Sequence, residues 1–388
     1  MKKITGALAL ALCLVIANGV PSSAQSLDSL RERVNQGTIA IISGGVNGTY
    51  IRIASDLATV LDTENKLRVL PIIGKGSLQN ITDLLYLRGI DFAIVQSDVL
   101  GFILKERLFP NIEQRVRYVT KLYNEEVHIL AAADIQKLAD LSGKKVNVDG
   151  AGSGTAMTAA TLFAQSGLNV ETTNFDQALA LEKLKAGEIS AMVFVAGKPT
   201  DLFRRIEAGT GLHFVAVPLS ADLLRIYLPS SLTHADYPAL VDEDQPADTV
   251  AVGAVMAVYN WEKDTDRYRR TSTFVETFFD NIEAFMQPPR HPKWLEVNLA
   301  AEVPGWTRFQ PAQDWLDRRP TARGTGYDLA LKASFNDFLK FMKEAGRGSD
   351  RAHNSEALFA QFLEWRARQQ TQQPSVVAPA ASPSGPSR

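Results

Sequence analysis

The stretch TIAIISGGVNGTY, residues 38–50, decides the fold, because a short apolar run ends in a glycine loop and leads into a helical pattern. The apolar run predicts a buried strand, and the apolar spacing from Tyr50 to Leu61 predicts a helix. The same order recurs, with predicted strands at 67–73 and 91–96 and predicted helices at 78–87 and 98–104. Strands that alternate with helices in this way indicate a parallel, doubly wound α/β sheet.

A second α/β unit occupies the middle of the chain. Its predicted strands lie at 126–133, 145–149, 190–195 and 213–218, and its predicted helices at 155–166, 175–186 and 199–208. A long apolar strand at 249–259 and an amphipathic helix at 268–285 follow, whereas the polar, proline-containing residues 220–248 predict a surface excursion. Two α/β units joined by two strand-like crossings predict a two-lobed clamp with a hinge.

The expected organisation has five parts along the chain. They are a signal peptide at 1–24, lobe 1 at 27–125 with 250–287 returning to it, lobe 2 at 126–249, a partly helical C-terminal extension at 288–369, and a disordered tail at 370–388. Within the extension, amphipathic spacing predicts helices at 328–345 and 355–369. The tail is rich in Pro, Ser and Ala and cannot bury a core.

The first residues predict export. Lys2 and Lys3 precede an apolar run that is too short to span a bilayer comfortably, and small residues up to Ala24 follow. This is the pattern of a signal peptide cleaved after Ala24, so we expect a periplasmic protein. An uncleaved membrane anchor is the alternative.

Composition narrows the function classes. The 388 residues are 45% hydrophobic and 22% charged, which excludes a wholly disordered chain and a coiled-coil rod. Forty-one basic and 43 acidic residues give a net charge of −2, so general nucleic-acid binding is not expected. Cys13 is the one cysteine, and the histidines have no metal-ligand spacing, so we expect no metal and no cofactor.

Five loops at the carboxyl ends of predicted strands are the candidate ligand site, because ligands of open α/β sheets bind there. The loops are residues 43–50, 74–80, 96–98, 149–155 and 195–200. Glycines such as Gly45 let the backbone approach a ligand, and Ser153-Gly154-Thr155 at a helix start suits a carboxylate. Taken singly, the loops fit helix caps equally well, with Ser77 and Asp98 as capping residues.

Six motifs carry a family resemblance, namely GGVNGTY, GKGSLQN, FAIVQSD, YNEEVH, GAGSGT and FVAGKPT, in this order. As an ordered set, they resemble the TAXI-type solute receptors of tripartite ATP-independent periplasmic (TRAP) transporters. The resemblance covers about residues 38–286 and implies a type II periplasmic binding protein fold. It also implies a small acid or amino acid as ligand and a TRAP membrane permease as partner. By matching position, it implies ligand contacts from Thr49, Tyr50, Ser77, Asn80, Gln96, Asp98, Ser153, Gly154, Thr155, Ala196 and Gly197.

Two lysines bear on the identity of the ligand. Lys75 and Lys198 lie in strand-end loops of opposite lobes, so closure of the lobes could bring both ammonium groups to one cleft. Such a clamp would favour a ligand with two acidic groups, such as glutamate or a dicarboxylate. The alternative is that both lysines point into solvent, as surface lysines usually do.

Other function classes stay open at this point. Ser153 resembles a nucleophile, but a serine hydrolase needs a histidine partner, and His128 and His213 lie in strand-like runs. We therefore expect no enzyme, with a hydrolase as the weaker alternative. The paired acids Glu125–Glu126 and the acidic run 242–244 are expected to be solvated loop charges, the latter at most a weak cation site. A further alternative is a periplasmic interaction or sensory protein that uses the C-terminal extension.

Overall fold

The computed structural model describes Leu27, Ser29, Leu30, Glu32, residues 35–63 and residues 66–319. The expected signal peptide, the expected helices at 328–345 and 355–369, and the expected tail lie outside the described residues.

The described residues form ten strands and eleven α-helices. The strands are β1 (Thr38–Ile42), β2 (Arg68–Ile72), β3 (Phe92–Gln96), β4 (Val116–Ala131), β5 (Lys145–Asn147), β6 (Glu171–Thr173), β7 (Ala191–Ala196), β8 (His213–Phe214), β9 (Leu228–Leu232) and β10 (Ala247–Tyr259). The helices are α1 (Thr49–Leu61), α2 (Ser77–Tyr86), α3 (Val99–Glu106), α4 (Ile112–Arg115), α5 (Gly154–Gln165), α6 (Gln177–Lys185), α7 (Asp201–Arg204), α8 (Ala221–Leu224), α9 (Asp266–Asp280), α10 (Ile282–Phe285) and α11 (Gln310–Arg318).

Two long antiparallel strands, β4 and β10, connect two α/β lobes. The sheet order is β2-β1-β3-β10-β4-β7-β5-β6, with β1 parallel to β2 and β3 on one side and β5 parallel to β6 and β7 on the other. The first part of β4 pairs with β10, and its last six residues pair with β7. Because both strands pass from one lobe into the other, they form the hinge. The predicted α/β, two-lobed fold is confirmed.

Each lobe buries apolar residues on both faces of its part of the sheet. Lobe 1 packs Ile39, Leu57 and Phe92 on one face and Ile81 and Val95 on the other. Lobe 2 likewise has two apolar clusters, one on each face of its part of the sheet. This pattern explains why the strands are continuous apolar runs, since parallel strands covered by helices on both faces have no solvated side.

Strand β4 begins ten residues earlier than the sequence predicts, at Val116 instead of residue 126. The charged residues Arg117 and Lys121 interrupt the apolar pattern, and pairing with β10, which proceeds from Val116 to Glu126, forms the strand. Lys121 itself is only 7% exposed. Pairing with β10, which is distant in sequence, therefore determines where β4 begins.

Residues 220–248 are not the surface excursion that their polarity predicts. They contain α8 and β9, and they bury Tyr227, Tyr237 and Leu240. The apolar residues are spaced without a regular period, so no pattern marks them, and their burial comes from covering lobe 2. The predicted helix at 199–208 is likewise reduced to the single turn of α7.

The chain beyond residue 288 belongs to the packing of lobe 1 as far as it is described. Trp294 is fully buried, and it joins Phe309 and Trp315 in the same apolar cluster as β1 and α1. Trp315 Nε1 also donates a hydrogen bond to Asp280 Oδ1 at 2.8 Å. Among the described residues, no helix is long and apolar enough to cross a membrane.

Candidate functional site

The strand-end loops of both lobes meet around one small cavity. Its volume is about 50 Å³, and it lies at the carboxyl ends of β1 and β3 in lobe 1 and of β7 in lobe 2. Its walls are Gly44, Gly45, Gly48, Thr49, Tyr50, Lys75, Gly76, Gln96, Glu125, Asp149, Ser153, Gly154, Thr155, Phe194 and Val195. Ligands of α/β sheets bind at this position.

Eight of the predicted site residues line this cavity. They are Gly45, Thr49, Tyr50, Lys75, Gln96, Ser153, Gly154 and Thr155. The prediction succeeds in bringing these loops together because the carboxyl ends of parallel strands share one edge of a sheet. Whether these residues contact a ligand stays a prediction.

Other predicted residues support the cavity from behind. The Asn80 amide donates to Ser43 O at 2.7 Å and to Ile94 O at 2.8 Å, and its Oδ1 accepts from Gly76 N. Ser77 Oγ exchanges hydrogen bonds with Gln96. These side chains hold the lobe 1 loops in place.

The fifth loop contributes its backbone to the contact between lobes. Gly197 O accepts a hydrogen bond from Thr49 Oγ1 at 3.2 Å, and Ala196 ends β7 with 1% of its surface exposed. A side chain on Gly197 would crowd Tyr123 and Lys293 as well as Thr49. The backbone of Ala196 and Gly197 and the small size of Gly197 therefore determine how closely the two lobes approach at the cleft.

Two other predicted site residues, Lys198 and Asp98, do not line this cavity. The Lys198 ammonium pairs with Asp236 Oδ2 at 3.0 Å and donates to Ser231 O at 2.6 Å, both within lobe 2. Lys75 lines the cavity, so the expected clamp of two lysines does not form in this structure. Asp98 lines a different, larger groove.

Direct contacts hold the two lobes together around the cavity. Gln79 N donates to Gly152 O at 3.2 Å, and Thr158 Oγ1 donates to Gln96 Oε1 at 3.3 Å. A Cβ on Gly154 would clash with Gln96 Oε1 and with Ser77 Oγ. The glycine therefore allows lobe 2 to approach lobe 1 this closely.

Glu125 and Glu126 are buried, contrary to the expectation of solvated loop charges. Each is 2% exposed, because β4 carries them through the hinge between the lobes. Tyr50 Oη donates to Glu125 Oε2 at 2.6 Å. Burial raises the pKa of Glu125 to about 8, although the hydrogen bond from Tyr50 acts in the opposite direction. Glu125 is thus largely protonated at neutral pH.

Glu126 is neutralised by a residue that the sequence did not single out. Lys293 Nζ lies 2.8 Å from Glu126 Oε1 and 2.7 Å from Glu296 Oε1. Burial acts to lower the pKa of Lys293, but the two carboxylates outweigh it and raise the pKa. No local sequence signal identifies Lys293 as this partner, because it lies 167 residues from Glu126.

Two helices begin at this cavity without a side-chain cap. The N-caps of α1 and α2 are Gly48 and Gly76, and neither makes a side-chain capping hydrogen bond. In α5, Ser153 Oγ accepts from Ala156 N, while Thr155 Oγ1 accepts from Val195 N. At the start of α2, Gly76 N and Gln79 N already donate to Asn80 Oδ1 and Gly152 O, so the start of α1 is the better place for an anion, and Lys75 adds a positive charge nearby. This arrangement suits a carboxylate.

The two histidines of the strand-like runs, His128 and His213, form hydrogen bonds within lobe 2. His128 Nε2 lies 2.7 Å from Tyr237 Oη inside lobe 2, and burial lowers the pKa of His128 to about 3. His213 Nε2 lies 2.8 Å from Ile135 O. Among the described residues, no group of three or more His, Cys, Asp or Glu side chains is arranged to hold a metal ion. Residues 242–244 are exposed.

Comparisons with known proteins give one family match and several similar solved structures. The model of the NMT1-like family matches residues 41–302. The chain is similar to a solved periplasmic transporter, at 13% identity and a TM-score of 0.47 over 74% of this chain and 95% of that one. It is also similar to the periplasmic binding protein BugD, at 14% identity and a TM-score of 0.45 over 80% and 97%. An ancestral arginine-binding protein bound to arginine matches at 16% identity and a TM-score of 0.38 over 63% and 94%.

Proposed function

The chain belongs to the NMT1-like family, and on that premise we propose that it is an exported solute-binding protein. Its ligand is a small carboxylate-bearing solute, first a glutamate-like amino acid and second a dicarboxylate. It captures the solute between its lobes in the periplasm and delivers it to a TRAP-type membrane permease. The motifs of the strand-end loops and the signal-like first residues support the delivery and the location.

The observation that carries the ligand assignment is the mixture of charges around the inter-lobe cavity. Glu125 and Asp149 supply acidic groups, whereas Lys75 and the start of α1 attract anions. An amino acid carries both kinds of charge. A ligand with an ammonium and two carboxylates, such as glutamate, therefore matches more of these groups than a dicarboxylate does.

The carboxylate end fits the starts of α1 and α5. Thr49 at the start of α1 and Ser153 and Thr155 at the start of α5 line the cavity. In a site shielded from water, such neutral donors bind an anion more strongly than they do at a surface. No arginine lines this cavity, so the helix starts and Lys75 are the groups that balance the negative charge.

The ammonium end fits Glu125. Its carboxyl group is buried, and its hydrogen-bond partner Tyr50 is neutral, so burial dominates and raises the pKa to about 8. An ammonium group beside this carboxyl would favour its charged form and lower the pKa again. Binding of an amino acid would then release a proton from Glu125 near neutral pH.

The size of the cavity indicates how the solute enters. One water needs roughly 10–15 Å³ by this measure, so about 50 Å³ accommodates only a few water-sized groups. A glutamate-sized molecule therefore enters when the lobes part. Rotation about β4 and β10 provides this motion, and contacts from both lobes then stabilise the closed state.

Calorimetry with a matched pair of ligands tests the proposal. We expect L-glutamate to bind more tightly than glutarate, which lacks the ammonium group. Glu125→Gln should weaken L-glutamate binding at least tenfold and leave glutarate binding nearly unchanged. Glu283→Gln, at an exposed position on α10, is the control. Failure of the folded, ligand-free protein to bind amino acids or dicarboxylates would overturn the assignment.

A further inference from the structure

A second opening between the lobes is much larger than the small cavity at the strand ends. We call that small cavity the carboxylate cavity, because the small acid is proposed to bind there. The second opening has a volume of about 650 Å³. Helix α3 of lobe 1 forms one wall, α5 and the residues after α8 in lobe 2 form the other, and Ala251–Gly253 of β10 form the floor. We call this opening the α3–α5 groove. Its volume lies in the range of pockets that hold small organic ligands.

The α3–α5 groove is distinct from the carboxylate cavity. The two have no lining residue in common. The contacts of Gln96 with Thr158 and of Gly154 with Ser77 stand between them. A ligand in the groove would therefore not occupy the positions proposed for the small acid.

Most of the groove surface is apolar. Phe102 from lobe 1 faces Met157 and Ala160 from lobe 2, and Ile226 and Val303 extend the apolar surface. Ile226 is 41% exposed, so its apolar side chain is accessible to a ligand in the groove. An apolar molecule in this groove would bury surface of both lobes at once.

The carboxylate of Asp98, which is half-buried, lines this groove. Asp98 Oδ2 accepts a hydrogen bond from Tyr227 Oη at 3.2 Å, which joins lobe 1 to lobe 2. Asp98 Oδ1 is buried and has no hydrogen-bond partner among the residues that the structure describes. Burial raises the pKa of Asp98 to about 6, although the Tyr227 hydrogen bond acts to lower it. Since only one of the two Asp98 oxygens accepts a hydrogen bond from the described residues, the cost of burying this carboxylate is only partly offset.

The basic groups of the groove are engaged elsewhere or exposed. The Lys121 ammonium donates to Asn124 Oδ1 at 2.8 Å, and Arg225 pairs with Asp222. Lys105 is exposed on α3, next to the exposed acid Glu106. Of the acidic residues that line the groove, Glu106 and Glu302 are exposed to solvent, whereas Asp98 has a buried oxygen without a partner among the described residues and is the anchor available to a ligand.

We propose that the α3–α5 groove is a second ligand site for an apolar molecule that carries one ammonium group. The ammonium binds the carboxylate of Asp98, whose Oδ1 has no hydrogen-bond partner among the described residues, and the apolar body lies along Phe102, Met157 and Ala160. A cation there offsets the cost of burying the carboxylate, because opposite charges attract strongly where water is excluded. Since the contacts come from both lobes, the ligand also favours the closed arrangement of the lobes.

Three probes that share one apolar body test the charge requirement. They are 4-phenylbutylamine, 4-phenylbutanol and 4-phenylbutanoate, measured by calorimetry at pH 7.5 against the full chain. We expect the amine to bind at least tenfold more tightly than the alcohol and the carboxylate to bind most weakly. Asp98→Asn should remove the advantage of the amine over the alcohol. Equal affinity of the amine and the carboxylate for the wild type would overturn the proposal.

A second pair of variants tests the location. Ala160→Trp places a large side chain in the groove and should abolish binding of the amine. Ala178→Trp, at an exposed position on α6, is the matched control and should bind the amine like the wild type. Binding that survives Ala160→Trp would place the amine elsewhere and overturn the proposal. L-glutamate binding, measured alongside, reports on the carboxylate cavity separately.

Discussion

Two ion pairs of almost equal length join distant parts of this chain, but their surroundings differ. Lys293 and Glu126 are 2.8 Å apart, and their side chains are 2% and 3% exposed. Arg52 and Asp201 are 3.0 Å apart across the mouth of the cleft, and their side chains are 59% and 50% exposed. The distances alone would rank the two pairs as equals.

The difference teaches that solvation decides what such a pair contributes. A solvated pair gains little, because water and salt screen the attraction and each side chain loses freedom. A buried pair is costly to break, because the remaining charge has no water around it. The buried pair therefore holds the hinge in place at Glu126. Separating Arg52 from Asp201 at the mouth of the cleft costs little free energy.

The largest expected effect comes from removing the buried cation. Lys293→Met leaves Glu126 without its partner and should lower the free energy of unfolding by about 3–5 kcal/mol. Urea denaturation followed by circular dichroism measures this loss. Lys263→Met, at an exposed position, should change stability little. The double variant Lys293→Met/Glu126→Gln should recover part of the loss, and no recovery would mean that packing rather than charge dominates.

The next largest effect is expected at Glu125, a buried acid whose hydrogen-bond partner Tyr50 is neutral, unlike the charged partner of Glu126. The pKa of Glu125 is raised to about 8 from its ordinary value of 4.5. Its contribution to stability is therefore present below pH 4.5 and is lost as the pH rises towards 8. Glu125→Gln should remove about 2–4 kcal/mol of this pH dependence. His128 is retained in both proteins, so its own titration cancels in the difference between two series of urea curves.

A change of size at the lobe contact should have an intermediate effect. Gly154→Ala introduces a clash with Gln96 and Ser77 across the cleft and should destabilise the closed arrangement by about 1–3 kcal/mol. Small-angle scattering should then report a larger radius of gyration. Adding Gln96→Ala relieves one of the clashes and should reverse part of the increase. An unchanged radius in Gly154→Ala would show that the neighbours adjust locally.

The smallest expected effect is at the exposed pair. Arg52→Ala should change the free energy of unfolding by only about 0.2–1 kcal/mol. That change should shrink in 1 M salt, because the screening length falls to about 3 Å. The Lys293→Met effect should persist in the same salt. A large, salt-resistant effect at Arg52 would contradict the distinction between the two pairs.

The sequence predicts the architecture and much of the cavity because both depend on local patterns. Apolar runs and strand-end glycines locate the loops that contain Thr49, Gln96 and Ser153, and the topology then brings them together. The burial of Glu125 could not be predicted in this way. It depends on β4 and β10 pairing across the hinge, and these strands are far apart in the sequence.

Lys293 illustrates the same limit more sharply. It lies between prolines and tryptophans in a stretch without a regular pattern, and its partner Glu126 is 167 residues away. Asn80 and Lys198 show a further limit, because a polar residue in a glycine loop fits a ligand contact and a structural bond equally well. Hydrogen bonds to the backbone and to Asp236 decide between these roles, and they depend on the whole fold.

The late position of Trp294 and Trp315 in the chain determines when lobe 1 can finish folding. These side chains complete the apolar cluster that begins with β1, whereas the elements of lobe 2 between the two hinge strands follow one another without interruption. A ribosome adds about 5–20 residues per second, so lobe 1 remains unfinished for tens of seconds after β3 has been synthesised. Over that interval, lobe 2 is the part of the nascent chain that can form its core.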